Sequence, residues 1–77
     1  MFEWQKIKDE IGFIHTLKAS DVAYVKVEKT RGGDYSITAM RNDDAAGGEV
    51  EYRNTLNAAR DFAERIITDG SWIEYLP

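Results

Sequence analysis

The sequence predicts an α+β fold: a helix, a three-stranded antiparallel meander and a second helix (αβββα), with both helices on one face of the sheet and a short aromatic C-terminal tail. Three observations carry that expectation. Residues 55–70 repeat apolar side chains at helical spacing. Residues 22–30 and 34–42 each alternate apolar and polar side chains, as half-buried strands do. A glycine pair separates the two alternating runs, and strands joined by short loops become antiparallel neighbours.

The first helix is predicted over 3–18. Trp4, Ile7, Ile11 and Ile14 share one stripe, with Leu17 close to it. Gly12 opposes it, since a glycine inside a helix costs about 1 kcal/mol against alanine. The rival reading is a short helix to about Glu10 followed by a strand over 12–18.

In 22–30, Ala23, Val25 and Val27 face one way and Tyr24, Lys26 and Glu28 the other. In 34–42, Tyr35, Ile37 and Ala39 alternate with Ser36, Thr38 and Met40. Parity then selects the turn. A two-residue Gly32-Gly33 turn would set Ile37 opposite Glu28 and mix the two faces. A three-residue loop, Arg31-Gly32-Gly33, sets Val27 opposite Ile37, Val25 opposite Ala39, Lys26 beside Thr38 and Tyr24 beside Met40. A one-residue slip flips every side chain, so the buried face selects the longer loop. Gly33 can supply the left-handed residue near its end.

Residues 43–48, DDAAGG, read as a loop. Residues 49–53 read as a short third strand, with Val50 and Tyr52 inward and Glu49, Glu51 and Arg53 outward. The second helix follows at once. Asn54 or Thr55 can cap its start, because a short side-chain oxygen takes up a backbone N–H that has no partner within the helix. Leu56, Ala59, Ala63 and Ile66 form its apolar stripe, widened by Phe62 and Ile67. Ala59 and Ala63 are small enough to bring the helix axis close to a sheet. Arg60–Glu64 and Asp61–Arg65 are four-apart opposite charges on the outer face. Gly70 ends the helix cheaply in a left-handed conformation. The tail, SWIEYLP, is expected either to add a fourth short strand or to lay Trp72 and Leu76 over the core edge.

A chain of 77 residues makes a single domain spanning 1–77. Without cysteine it has no disulfide and no thiolate metal site, so packing or self-association must hold it together. The net charge of -4 argues against general nucleic-acid binding, which needs excess cations against phosphates. No apolar run is long enough to span a membrane, and MFEWQKIKDE lacks the apolar segment of a signal peptide. The chain, read as complete from Met1, is expected to be a soluble cytoplasmic protein.

Chemistry-bearing motifs are weak. His15 is the single histidine and has no assignable nucleophile or carboxylate partner, so it reads as a surface or packing residue. Asn42-Asp43-Asp44 with Glu49 and Glu51 lacks the alternating acids and twelfth-position Glu of a calcium loop. Arg31-Gly32-Gly33 lacks the flanking Lys and helix of a phosphate loop. The expectation is therefore no enzyme, no catalytic residue, no metal and no cofactor.

The helix–three strands–helix order resembles the layout of double-stranded-RNA-binding domains. Such domains use a lysine-rich start to the second helix, whereas TLNAAR offers only Arg60. A nucleic-acid site would instead have to use Lys18, Lys26, Lys29, Arg31 and Arg41, with Glu28 and Asp34 diluting them.

The favoured candidate is a protein-binding surface on the uncovered face of the sheet: Tyr24, Lys26, Thr38 and Met40, rimmed by Asp43, Asp44, Glu49 and Glu51. Exposed aromatic and Met side chains are enriched at interface cores. The acidic rim would suit a partner with a basic surface, such as the nucleic-acid groove of another protein. In size and character the chain resembles small phage-encoded inhibitors of host machinery, anti-CRISPR proteins among them, which would place it in the host cell cytoplasm. The alternative is a homodimeric structural or accessory protein, pairing through a sheet edge or through the first helix and the tail. An RNA- or DNA-binding domain is the third reading.

Overall fold

Residues 3–18 do not form a helix. In the computed structural model, which describes residues 2–43 and 48–76, they are a β-hairpin of strands β1 (Gln5–Lys8) and β2 (Phe13–Ser20). The chain continues through β3 (Ala23–Lys29), β4 (Tyr35–Arg41), β5 (Val50–Arg53), helix α1 (Leu56–Asp69) and a 3-10 helix at Ser71–Tyr75. The strands form one five-stranded antiparallel sheet in chain order. The predicted αβββα order is thus replaced by a five-stranded meander with one helix on one face.

The physical reason lies in the first hairpin. Ile7 and Ile14, seven apart on the supposed helix stripe, are directly opposed across β1 and β2. Asp9 to Gly12 is the loop between them, closed by the Asp9 N–H donating to the Gly12 carbonyl at 2.6 Å. Asp at the start and Gly at the end are turn chemistry. Ile7, Ile14 and Thr16 are β-branched and lose rotamer freedom in a helix but not in a strand. The same residues alternate: His15 and Leu17 lie opposite Val27 and Val25 of β3, while Ile14, Thr16 and Lys18 turn to the other face. The rival expectation of a strand over 12–18 matches β2; the short helix it placed before that strand is β1.

The β3–β4 hairpin has the register that parity demands. Val27 pairs with Ile37, Val25 with Ala39, Lys26 with Thr38 and Tyr24 with Met40. Thr30 and Asp34 close the Arg31–Gly33 loop, with the Thr30 N–H donating to the Asp34 carbonyl at 2.9 Å and the Thr30 hydroxyl to the Asp34 carboxylate. Gly33 has φ of 95°, which a side chain would strain.

Helix α1 ends where its cap residues say. The Thr55 side chain accepts the Ala58 N–H at 3.1 Å, and Gly70 is left-handed with φ of 81°. Ala59 and Ala63 are fully buried against Val25, Val27 and Ile37, with Ile66 beside them. Missing side-chain bulk at the two alanines lets the helix backbone approach the centre of the sheet. The charge pair expected between Arg60 and Glu64 is not made. Both turn to Trp4, which stands at the β1 edge of the helix: Arg60 lies 4.8 Å over its ring and Glu64 accepts its indole N–H at 2.7 Å.

The opposite flank of α1 is closed by the C-terminal segment. It adds no strand; of the two residues expected over the core edge, Trp72 packs there, and it does so from a 3-10 helix. Trp72 and Tyr75 of the 3-10 helix pack against the core, and Tyr75 meets Phe62 edge-on at 5.9 Å between ring centroids. Gly48 comes against the backbone of Tyr75 and Leu76 so closely that there is no room for a Cβ. Among the described residues no helix is long and apolar enough to cross a membrane.

Candidate functional site

Because α1 and the 3-10 helix occupy one face, the other face of the sheet has no layer over it. Its side chains follow from the registers as cross-strand rows. One row is Ile7, Ile14, Glu28, Ser36 and Tyr52; the next is Gln5, Thr16, Lys26, Thr38 and Val50; the third runs through Lys18, Tyr24 and Met40. Neighbours in a row are the side chains that touch across strands.

The face has a polar floor and apolar ends. Ser36 and Thr38 on β4 are buried although nothing packs above them, so taller neighbours on β3 and β5 shield them. The Ser36 hydroxyl donates to the Glu28 carbonyl at 3.3 Å. Lys26 and Glu28 form a half-buried ion pair at 3.2 Å. At one end stand Ile7 and Ile14; at the other stand Val50 and Tyr52, with Ile7, Val50 and Tyr52 exposed. Over β1 to β3 this face carries an open trough of about 860 Å³, lined by Phe2, Ile7, Ile14, Thr16, Tyr24 and Lys26 among others.

The structure brings Tyr24, Lys26, Thr38 and Met40 together on this face. It does not bring Glu51 there. Glu51 is opposite Ile37 and Arg53 opposite Tyr35, so both point to the helix side, and Val50 and Tyr52 point out. The expected orientation of the third strand is therefore inverted. Arg53 shows why: it lies 4.4 Å over the Phe62 ring and pairs with Glu51 at 3.5 Å. Beside the start of α1 a long cationic side chain covers the face of the Phe62 ring, where an inward Tyr52 would have to compete with Phe62 and Tyr75 for the same space. Asp43 follows β4 and is exposed, and Glu49 precedes β5 and is exposed. Asp44 lies outside the described residues.

Sequence reasoning missed four apolar members of the face: Ile7, Ile14, Val50 and Tyr52. For the first two the signal was present in the Asp9-to-Gly12 turn. For the other two there was none, because a loop of uncertain register separates them from β4.

The cations expected for a nucleic-acid site do not gather. Lys18 and Lys26 lie on the open face and are paired with Asp21 at 3.4 Å and Glu28 at 3.2 Å. Lys29 and Arg41 fall on the helix side of the sheet, opposite Tyr35 and Ala23. The double-stranded-RNA-binding layout falls with the first helix, as does homodimer pairing through that helix. The unpaired sheet edges, β1 and β5, remain as the places where a strand could add.

His15 is on β2 rather than on a helix, and it faces α1 beside Lys6 of β1. Burial, then Arg60, then Lys6 hold its pKa below the usual histidine range. Among the described residues no three of His, Cys, Asp and Glu converge as a metal-binding group would. The open face combines apolar side chains, hydroxyls and an ion pair, a set suited to contact. No family model matches this chain, and no curated protein or solved structure is significantly similar to it.

Proposed function

We propose that this chain is a non-enzymatic binding protein whose working surface is the open face of the sheet. The observation that carries this is the side-chain content of that face. The exposed side of an antiparallel sheet is ordinarily polar. Here it carries Ile7, Ile14, Tyr24, Met40, Val50 and Tyr52, in a sheet with a separate, complete core on its other side.

The partner is a protein with a basic surface. The chain carries a net charge of -4, and Glu3, Asp21, Asp43 and Glu49 are all exposed near the ends of the strands. The face's own cations, Lys18 and Lys26, already have acidic partners. Apolar contact would supply affinity, and the acids would steer a basic partner to the face. The specific form of this reading is an inhibitor that occupies the nucleic-acid groove of another protein; small size and acidic charge support it.

A site-specific photocrosslinker tests it. Placed at Met40 it should capture a partner through Lys- and Arg-rich peptides, and placed at Asp61 on the outer face of α1 it should not. Tyr24→Ala with Met40→Ala should weaken that partner's binding at least tenfold, and nucleic acid should compete for the partner if its groove is the target. Equal capture from both positions, or unchanged affinity of the double variant, would overturn the reading. Capture of a second copy of this chain would replace it with the homodimer.

A further inference from the structure

The sheet has two free edges, and they differ in what they can accept. In antiparallel pairs, residues that exchange backbone hydrogen bonds alternate with residues that do not. Between β1 and β2 the Asp9 N–H donates to the Gly12 carbonyl, so Gln5 and Ile7 bond to β2 and the backbone groups of Lys6 and Lys8 point out of the sheet. Between β3 and β4, the Thr30 N–H donates to the Asp34 carbonyl at 2.9 Å and the Asn42 N–H to the Val22 carbonyl at 2.8 Å, which fixes the alternation from both ends. Tyr35 and Ile37 therefore bond toward Arg53 and Glu51, and the backbone groups of Val50 and Tyr52 face outward along β5. The Tyr52 carbonyl at this edge accepts from the Arg53 guanidinium at 2.7 Å.

The β1 edge is guarded against a second copy. Two antiparallel β1 strands would pair through Lys6 and Lys8, and whether Lys6, Ile7 or Lys8 lies on the two-fold axis, a lysine stands opposite a lysine. The β5 edge carries neither lysine nor proline. Val50 and Tyr52 are exposed on its open side, and Glu51 and Arg53 carry opposite charge on its helix side. With Tyr52 on a two-fold axis, Glu51 of each copy faces Arg53 of the other. An axis at Glu51 would set Glu51 against itself, and an axis at Val50 would set it against Glu49, so charge selects the first register.

We infer that this chain forms a two-fold dimer by antiparallel pairing of β5 with β5 of a second copy, with Tyr52 on the axis. The interface is isologous and closes at two copies. The Tyr52 N–H and carbonyl exchange hydrogen bonds across the axis. Arg53 gives up the Tyr52 carbonyl and turns from its own Glu51, 3.5 Å away, to that of the second copy. Exposed ion pairs add little affinity, so the charges set the register while backbone bonds and the Tyr52 contact hold the strands. The pairing runs along the edge and leaves the open face uncovered, so binding on that face does not depend on it.

Sedimentation of the full chain from micromolar to millimolar concentration is the experiment. The parent should pass from monomer to dimer. Glu51→Arg and Arg53→Glu should each weaken self-association at least tenfold, because like charges then face each other. An equimolar mixture of the two variants should form a heterodimer, because every facing pair is again opposite. Asp61→Arg on the outer face of α1 makes the same change in net charge as Glu51→Arg and should leave the dimer intact. Because Arg53 also covers Phe62, a second readout avoids it: Tyr52→Cys, in a chain without cysteine, should oxidise to a linked dimer. Residues in such a pair lie about 5.5 Å apart, within disulfide reach. Val22→Cys in the β2–β3 turn should stay monomeric. A monomer at millimolar concentration, or a dimer indifferent to Glu51→Arg, overturns the inference. Assembly that continues past the dimer would mean that β5 meets β1 of the next copy, and overturns the two-fold pairing.

Discussion

Glu64 accepts the indole N–H of Trp4 at 2.7 Å, joining two residues sixty positions apart. This bond and the Arg60 guanidinium over the same ring fasten the β1 edge to α1. Trp4→Phe keeps most of the apolar contact and removes the donor. A hydrogen bond to a charged acceptor contributes about 1.5–3 kcal/mol. Trp4→Phe should therefore lower urea-unfolding stability by about that amount, and Trp4→Ala by about 3–5 kcal/mol. If both variants unfold like the parent, β1 is not fastened in this way.

Gly48 abuts the tail. A Cβ there would lie 2.7 Å from the Leu76 carbonyl carbon and 2.8 Å from that of Tyr75, inside any real contact distance. Gly48→Ala should displace the 3-10 helix and cost about 1–3 kcal/mol, the usual cost of overpacking. Tail proteolysis and the fluorescence of Trp72 read the outcome. Full stability in Gly48→Ala would mean the tail does not dock there.

The inverted face of β5 gives a sharp contrast. Val50 and Tyr52 are on the open face and 41% and 54% exposed, whereas Ile37 is 2% exposed. Val50→Thr and Tyr52→Ser should each change stability by no more than about 0.5 kcal/mol. Ile37→Ala should cost about 2–5 kcal/mol. Thermal unfolding distinguishes this from the opposite register, in which the two β5 substitutions would be the damaging ones.

His15 makes stability depend on pH. Its folded pKa lies below the ordinary value of 6.5, so the unfolded chain takes up the proton first as pH falls. The contribution is complete above the unfolded value and is lost as pH falls through the folded one. Stability should decline on acidification below the ordinary histidine value of 6.5, and His15→Gln should flatten that slope. An unchanged slope in His15→Gln would assign the decline to other groups.

The sequence by itself determined what is settled within one element or across one tight turn. Thr55, the alanine stripe and Gly70 specify α1 because cap chemistry and helical spacing act over a few residues. The β3–β4 register follows from parity, because a three-residue loop transmits the facing of one strand directly to the next. Tertiary structure decided the rest. Trp4, Ile7, Ile11 and Ile14 fit a helical stripe as well as a hairpin, and pairing of β2 with β3 resolved the ambiguity. Val50 and Tyr52 alternate equally well facing either way, and Arg53 over Phe62 set their direction. The open face therefore could be only half read beforehand: Tyr24, Lys26, Thr38 and Met40 came from local parity, and its apolar ends came from contacts between segments far apart in the chain. Spacing records which residues can share a face, and only packing against a distant partner chooses which face is buried.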